Sequence, residues 1–211
     1  MDVRSVEVPS LRRLLRRQAV RSVSGLTVET TGPIERVDGR TMGYALARSG
    51  VWGPVPQREI EASQVREPLT AGLGCLMGAL ADYRDGEAYP QPAPLPGPAA
   101  LSRHIKAAAR FLKADLVGVC ELPQWAVFSR DWARDEIVCD HRFAIVLASD
   151  CDYDTTDAST GDDWICLAEE DLAYNQSALI ACSLAAYIRE LGYPARPTTR
   201  GTSSRPAMTW S

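Results

Sequence analysis

The sequence predicts an α+β fold, an α/β sandwich with helices covering a small sheet, and three observations in its second half carry that prediction. Leu101, Ile105, Ala108 and Leu112 recur at helical spacing behind Pro98, a residue suited to a first helical turn, so residues 99–113 are expected to form an amphipathic helix. Two short apolar runs, 116–120 and 143–148, have the length and β-branched composition of buried strands. A broad apolar face of Leu172, Leu179, Ile180, Leu184, Tyr187, Ile188 and Leu191 then predicts a long helix over about residues 168–191.

The ends of that long helix are signalled by charge and by glycine. Glu169, Glu170 and Asp171 fall in its first turn, where the helix dipole is positive, and Arg189 falls near the negative end. Gly192 supplies the left-handed stop, and Pro194 prevents continuation.

The remainder is organised less regularly. Residues 1–89 read as a mixed, loop-rich segment: Leu26, Val28, Ile34 and Val37 alternate as one or two short strands would, with Gly32-Pro33 as the turn between them. Leu11, Leu14 and Leu15 would lie beneath a short amphipathic helix whose solvated face carries the early arginines. Gly72, Gly74 and Gly78 miss the dinucleotide-binding spacing by one residue and follow a polar stretch rather than a strand, so close helix packing is their expected role. Residues 90–98 carry proline at every second position and are expected to form an extended linker, because proline fixes the backbone angle and removes amide donors. A domain over 99–197 and a polar, unstructured tail over 198–211 complete the expected organisation.

Charge and cysteine usage exclude several functions. The chain of 211 residues has a formal net charge of -4, and Lys106 and Lys113 are its only lysines. Phosphate binding needs clustered basic side chains, so nucleic acid is not an expected partner. The acids between Asp131 and Asp171 lack the loop pattern of a calcium hand and are read as solvated loop and helix start. Cys75, Cys120, Cys139, Cys151, Cys166 and Cys182 include no pair at the two- or three-residue spacing that zinc and bacterial-type iron-sulfur sites use, so no metal ligands are expected and the thiols are read as small hydrophobes. The longest apolar runs fall far short of the roughly 20 residues a membrane helix requires. Arg12-Arg13 and Arg16-Arg17 sit where a twin-arginine signal would, but residues 18–24 lack the apolar stretch that should follow, so a cytoplasmic location without membrane contact is expected.

Four blocks in the second half occur in an order and spacing that resembles one family. They are residues 107–119, Trp125-Ala126-Val127-Phe128-Ser129, Phe143-Ala144-Ile145-Val146-Leu147, and Ala185 to Ala195 with its Leu191-Gly192-Tyr193. Together they resemble the corrinoid-binding half of cobalamin-dependent reductive dehalogenases. Ile34-Glu35-Arg36-Val37-Asp38-Gly39-Arg40, with Ala47-Arg48-Ser49 and Trp52, extends the likeness upstream more faintly.

The resemblance implies a nitroreductase-like corrinoid-binding fold, here incomplete, and a truncated or partial enzyme whose complete form removes halide from an organohalide using cobalamin and iron-sulfur clusters. The cysteine runs that hold those clusters in the family have no counterpart before Ser211, so the isolated chain is expected to be inactive and to need a redox partner or the missing iron-sulfur domain. Two further departures stand out: Lys113 replaces a glycine before Ala114-Asp115, and Phe128 replaces a tyrosine. Tyr153, Tyr174 and Tyr193 remain as phenols but are read as packing residues, so no catalytic residue is carried over and the cofactor-binding residues stay unassigned. A stand-alone corrinoid- or flavin-binding protein and a non-functional remnant are the alternatives, since fold alone does not decide function.

Overall fold

Three prolines open three of the helices. Pro54, Pro68 and Pro98 each sit in a first turn, where the missing amide hydrogen costs nothing and the fixed backbone angle is already helical. The computed structural model describes residues 31–95, 97–130, 136–160, 163–165 and 167–198. The chain falls into two units, Met1–Ile34 and Glu35–Ser211, and every element named below lies in the second. In order these are α1 (Gly43–Arg48), α2 (Pro54–Arg66), α3 (Pro68–Leu80), α4 (Pro98–Phe111), β1 (Leu116–Glu121), β2 (Phe143–Ala148), α5 (Tyr153–Ala158) and α6 (Ala168–Glu190).

The part of 1–89 that can be described is therefore largely helical, not loop-rich. Ile34 and Val37 form no strand, although neighbouring Asp38 makes an isolated parallel bridge with Arg130. Leu26, Val28 and the arginine-bearing helix with Leu11, Leu14 and Leu15 lie outside the described residues, as does the tail beyond Thr198. Helix α3 escaped pattern reading because PLTAGLGCLMGAL has no charge and hence no polar face to alternate with. Its glycines also correct an expectation. A methyl group on Gly72, Gly74 or Gly78 would meet no atom within 4 Å, so close helix packing does not explain them.

The regular half follows the expected pattern closely. β1 and β2 pair antiparallel, from Leu116 opposite Ala148 to Glu121 opposite Phe143. Ile105 and Ala109 of α4, and Ile180, Leu184, Ala185 and Ile188 of α6, form the buried core, with Val117, Ile145 and Leu147 of the sheet packed against it. Leu172 and Leu179 differ from expectation, being 50% and 56% exposed. Gly192 is left-handed as expected, with φ of 87°. Lys113 is left-handed too, at φ 80°, and it is the one non-glycine residue in that region among the described residues.

A polar seam joins α3 to α6. Asn175 Nδ2 donates to Leu73 O at 2.9 Å and Cys182 Sγ to Leu80 O at 3.7 Å. Both donors and both acceptors are seven residues apart, so the two helices run parallel and in step. Seven residues further, Arg189 donates to Tyr83 O (3.2 Å), Arg84 O (3.3 Å) and Ala195 O (2.9 Å). The seam makes residues 68–84 part of the same packed unit as the long helix. The proline-rich stretch is tied to the end of α6 in its first half: Tyr89 N donates to Arg189 O at 2.8 Å and Ala93 N to Leu191 O at 2.9 Å. Those carbonyls are at the helix end, where the regular helical donors run out, and Arg189 O also accepts from Gly192 N at 2.9 Å.

Candidate functional site

A cleft of about 390 Å³ opens where α4, α6 and the proline-rich stretch meet, lined by Ala93, Pro94, Leu95, Ala100, Leu101, His104, Tyr187 and Leu191. Its walls are apolar except for one polar pair. His104 comes from the exposed side of α4, one residue before buried Ile105, and Tyr187 comes from the edge of the core face of α6. Their Nε2 and Oη atoms are 2.7 Å apart, with the ring planes inclined at 48°. Which group donates depends on the imidazole tautomer, so the pair can present either a hydrogen-bond donor or an acceptor. An imidazole and a phenol in contact are also chemically able to relay a proton. Tyr193 holds one of the lining residues, its hydroxyl donating to Ala93 O at 3.2 Å.

The phenols considered from the sequence are distributed differently from that pair. Tyr193 packs and hydrogen-bonds as expected. Tyr153 does not pack, being 76% exposed at the start of α5, and Tyr174 is exposed on α6. None of the three reaches the cleft's polar pair, and Tyr187, the tyrosine that does, was read only as part of an apolar stripe.

A second junction gathers two of the sequence blocks. Arg36 extends its guanidinium across the loop after β1, donating from Nε to Val127 O at 3.1 Å and from Nη2 to Phe128 O and Ile137 O, each at 2.7 Å. Ser129 N donates to Val37 O and Gly39 N to Arg130 O, each at 2.8 Å. The faint upstream block and the Trp125–Ser129 block are thus one structural unit, held by an arginine satisfying three backbone carbonyls. At position 128 the phenylalanine offers only its carbonyl to this network.

The acidic region resolves into capping groups. Asp152 caps α5 by accepting from Thr155 N at 2.9 Å, and Glu169 accepts from Asp152 N at 2.6 Å. Asp163 accepts from Thr160 N (2.8 Å), Ser159 Oγ (3.0 Å) and Ile165 N (3.1 Å), and these bonds, the Thr160 amide foremost, hold its carboxyl below the ordinary value. No cluster of three or more His, Cys, Asp or Glu side chains that could hold a metal occurs among the described residues. Burial raises the Cys182 thiol, against the opposing pull of Arg84 and Arg189; burial and then Glu169, Asp150 and Glu170 raise Cys151. Neither is a ready thiolate. Burial and then Arg196 lower His141, so its imidazole stays neutral further into acid than usual. Cys166 lies outside the described residues. No helix among the described residues is long and apolar enough to cross a membrane.

No protein-family model and no curated protein sequence matches the chain. Solved structures do. The chain is similar to a catabolic reductive dehalogenase, NpRdhA, in complex with 3-bromo-4-hydroxybenzoic acid: TM-score 0.76 and 27% identity, covering 88% of this chain and 27% of that one. A second NpRdhA structure gives TM-score 0.66 and 27% identity over 79% of this chain and 25% of that one. A reductive dehalogenase structure described in terms of B12-dependent dehalogenation gives TM-score 0.66 and 29% identity over 79% of this chain and 24% of that one. Similarity to reductive dehalogenases therefore runs through most of the chain in both fold and sequence, and the chain spans about a quarter of the length of these structures.

Proposed function

We propose that this chain is a truncated or partial reductive dehalogenase, whose complete form removes halide reductively from an organohalide. The observation that carries the reading is the TM-score of 0.76 at 27% identity over 88% of the chain, joined to coverage of 27% of the solved protein. The nitroreductase-like form of the fold and a cytoplasmic location belong to the same proposal. So does cobalamin as the cofactor of the complete enzyme, together with iron-sulfur clusters.

The cleft beside the His104–Tyr187 pair is too small to enclose a corrinoid. The cleft of about 390 Å³ falls at the small end of the roughly 300–1,000 Å³ that suits drug-sized ligands, and a corrinoid macrocycle with its axial substituents is larger than those. Beneath the cleft, α4, β1, β2 and α6 form a packed support, and the His104–Tyr187 pair offers one hydrogen-bonding position at its rim.

The test is halide release from 3-bromo-4-hydroxybenzoic acid under a chemical reductant with added cobalamin. The purified chain is expected to release none, and activity is expected once a redox partner or the missing iron-sulfur domain is supplied. Turnover by the chain alone overturns the reading, as does a stoichiometric flavin spectrum on the purified protein, which would favour a stand-alone flavoprotein.

A further inference from the structure

We propose that the cleft between α4, α6 and the proline-rich stretch is a binding site for a small, neutral hydroxyl compound built on a single ring, a monocyclic phenol or alcohol. The site is made by this chain's own residues and stands whether or not the dehalogenase reading does. Size sets the first limit. At about 390 Å³ the cleft lies near the lower end of the range that suits drug-sized ligands, which leaves room for a single ring with a short substituent. Charge sets the second. Among the described residues the lining holds no lysine, arginine, aspartate or glutamate, so a carboxylate or ammonium drawn in there would lose water without meeting an opposite charge.

The hydroxyl follows from the polar pair. One hydrogen bond joins His104 Nε2 and Tyr187 Oη at 2.7 Å, and it leaves the phenol with capacity for a second partner in either tautomer. If the imidazole donates, the phenol's proton is free for a ligand acceptor; if the imidazole accepts, the phenol oxygen still has a lone pair for a ligand donor. A ligand hydroxyl satisfies both states because it donates and accepts, whereas a ketone or an ether satisfies one. The ring would lie against Pro94 and the half-buried Leu95, Leu101 and Leu191, and apolar walls with a few placed polar groups are the ordinary make-up of a small-molecule site. One wall is also set before any ligand arrives. Ala93 N donates to Leu191 O at 2.9 Å, Tyr193 Oη donates to Ala93 O at 3.2 Å, and Gly192 brings the helix end so near that a methyl group on it would lie 2.5 Å from Pro92 Cα. A wall ordered in advance spares the ligand the entropy of ordering it.

The experiment titrates p-cresol, toluene and 4-hydroxybenzoate separately into the isotope-labelled full chain and follows the backbone amides by NMR. Toluene keeps the ring and lacks the hydroxyl; 4-hydroxybenzoate keeps both and adds a carboxylate. The expected p-cresol shifts centre on Ala93, Leu95, Leu101, His104, Tyr187 and Leu191, with toluene and 4-hydroxybenzoate each binding about tenfold more weakly. Tyr187→Phe should weaken p-cresol about tenfold and leave toluene unchanged, a split that lost packing would not produce. If circular dichroism shows that Tyr187→Phe does not fold, Ala100→Phe fills the cleft from the first turn of α4 and should abolish the p-cresol shifts. Shifts that are absent or scattered over the surface overturn the proposal, as does p-cresol bound equally well by Tyr187→Phe or 4-hydroxybenzoate bound as tightly as p-cresol.

Discussion

Arg189 and Gly86 stand so close that a methyl group on Gly86 would lie 2.8 Å from the arginine's Nε. A long side chain can usually swing away from such a contact. Arg189 cannot, because its two terminal nitrogens are held by Tyr83 O, Arg84 O and Ala195 O and the residue is only 8% exposed. Gly86→Ala is therefore expected to destabilise the protein by about 1–3 kcal/mol, as overpacking of a rigid site does. Arg189→Lys should cost about 2 kcal/mol, because an ammonium on a single stem cannot serve three carbonyls in a planar fork, and a buried acceptor left bare carries its desolvation penalty. Urea unfolding of the two variants checks both values. A midpoint unchanged in Gly86→Ala would show that Arg189 has another place to go.

Lys113 carries a strain that one substitution removes. It follows α4 at φ 80°, where a side chain crowds the backbone at a cost of about 1–2 kcal/mol and glycine does not. Glycine also brings extra freedom to the unfolded chain, worth about 0.5–1 kcal/mol. The difference predicts that Lys113→Gly stabilises by about 0.5–1 kcal/mol, and that Lys113→Val destabilises. Thermal melts of the three proteins should rank them in that order. The lysine's tolerance has a structural reason: the two bonds that close the helix, Lys113 N to Arg110 O at 2.9 Å and Ala114 N to Ala109 O at 3.0 Å, are made by backbone atoms.

Burial of a carboxylate in place of the Asn175 amide tests the seam between α3 and α6. Asn175 is 4% exposed, and its Nδ2 donates to both Leu73 O and Asp171 O at 2.9 Å. Asn175→Leu removes the donor and should cost about 1 kcal/mol by losing the side-chain bond that ties α6 to Leu73 O. Asn175→Asp should cost more at neutral pH, because it sets a charged acceptor against two carbonyl oxygens. Protonation of the new carboxyl restores a donor, so the gap between the two variants should close as pH falls. Parallel urea titrations at neutral and acid pH read this directly, and a gap that widens in acid would refute the geometry.

The elements most legible in the sequence are those with an environment that differs from side to side. Leu101, Ile105, Ala108 and Leu112 have a core beneath them and water above, and α4 appears where their spacing put it. β2 matches its expected limits, and α6 ends one residue before Leu191, because a β-branched run and a left-handed glycine are local signals. Helix α3 was illegible for the opposite reason: with no charged residue it offers no contrast, and Leu69 and Leu76 are 48% and 54% exposed where a periodic reading would bury them. The seam of Asn175, Cys182 and Arg189 reads in sequence as interruptions of an apolar face, since nothing local reveals that carbonyls about a hundred residues away need donors. The cleft's polar pair escaped similarly, with His104 and Tyr187 separated by 83 positions, the histidine on the exposed side of α4 and the tyrosine within an apolar stripe.

Asp38 offers a pH-dependent readout of the junction between the two resemblance blocks. Its Oδ1 accepts from Arg40 N at 2.9 Å and Arg40 Nε at 3.0 Å, and its Oδ2 from Arg40 Nη2 at 2.6 Å. These bonds, the side-chain ones first, lower its pKa from 3.8 to about 2. A carboxylate lowered on folding adds stability that is present above 3.8 and is lost as pH falls toward 2. Because the group is exposed, solvent screens the pair and the loss should be small. The titration midpoint is the sharper measurement. In Arg40→Ala the side-chain bonds vanish while the backbone amide at that position still donates, so the midpoint of Asp38 should rise only part of the way back to 3.8. Carbon-detected NMR titration of the carboxyl measures it, and a midpoint that does not move on substitution would show that the amide, or Arg130 nearby, holds the charge instead.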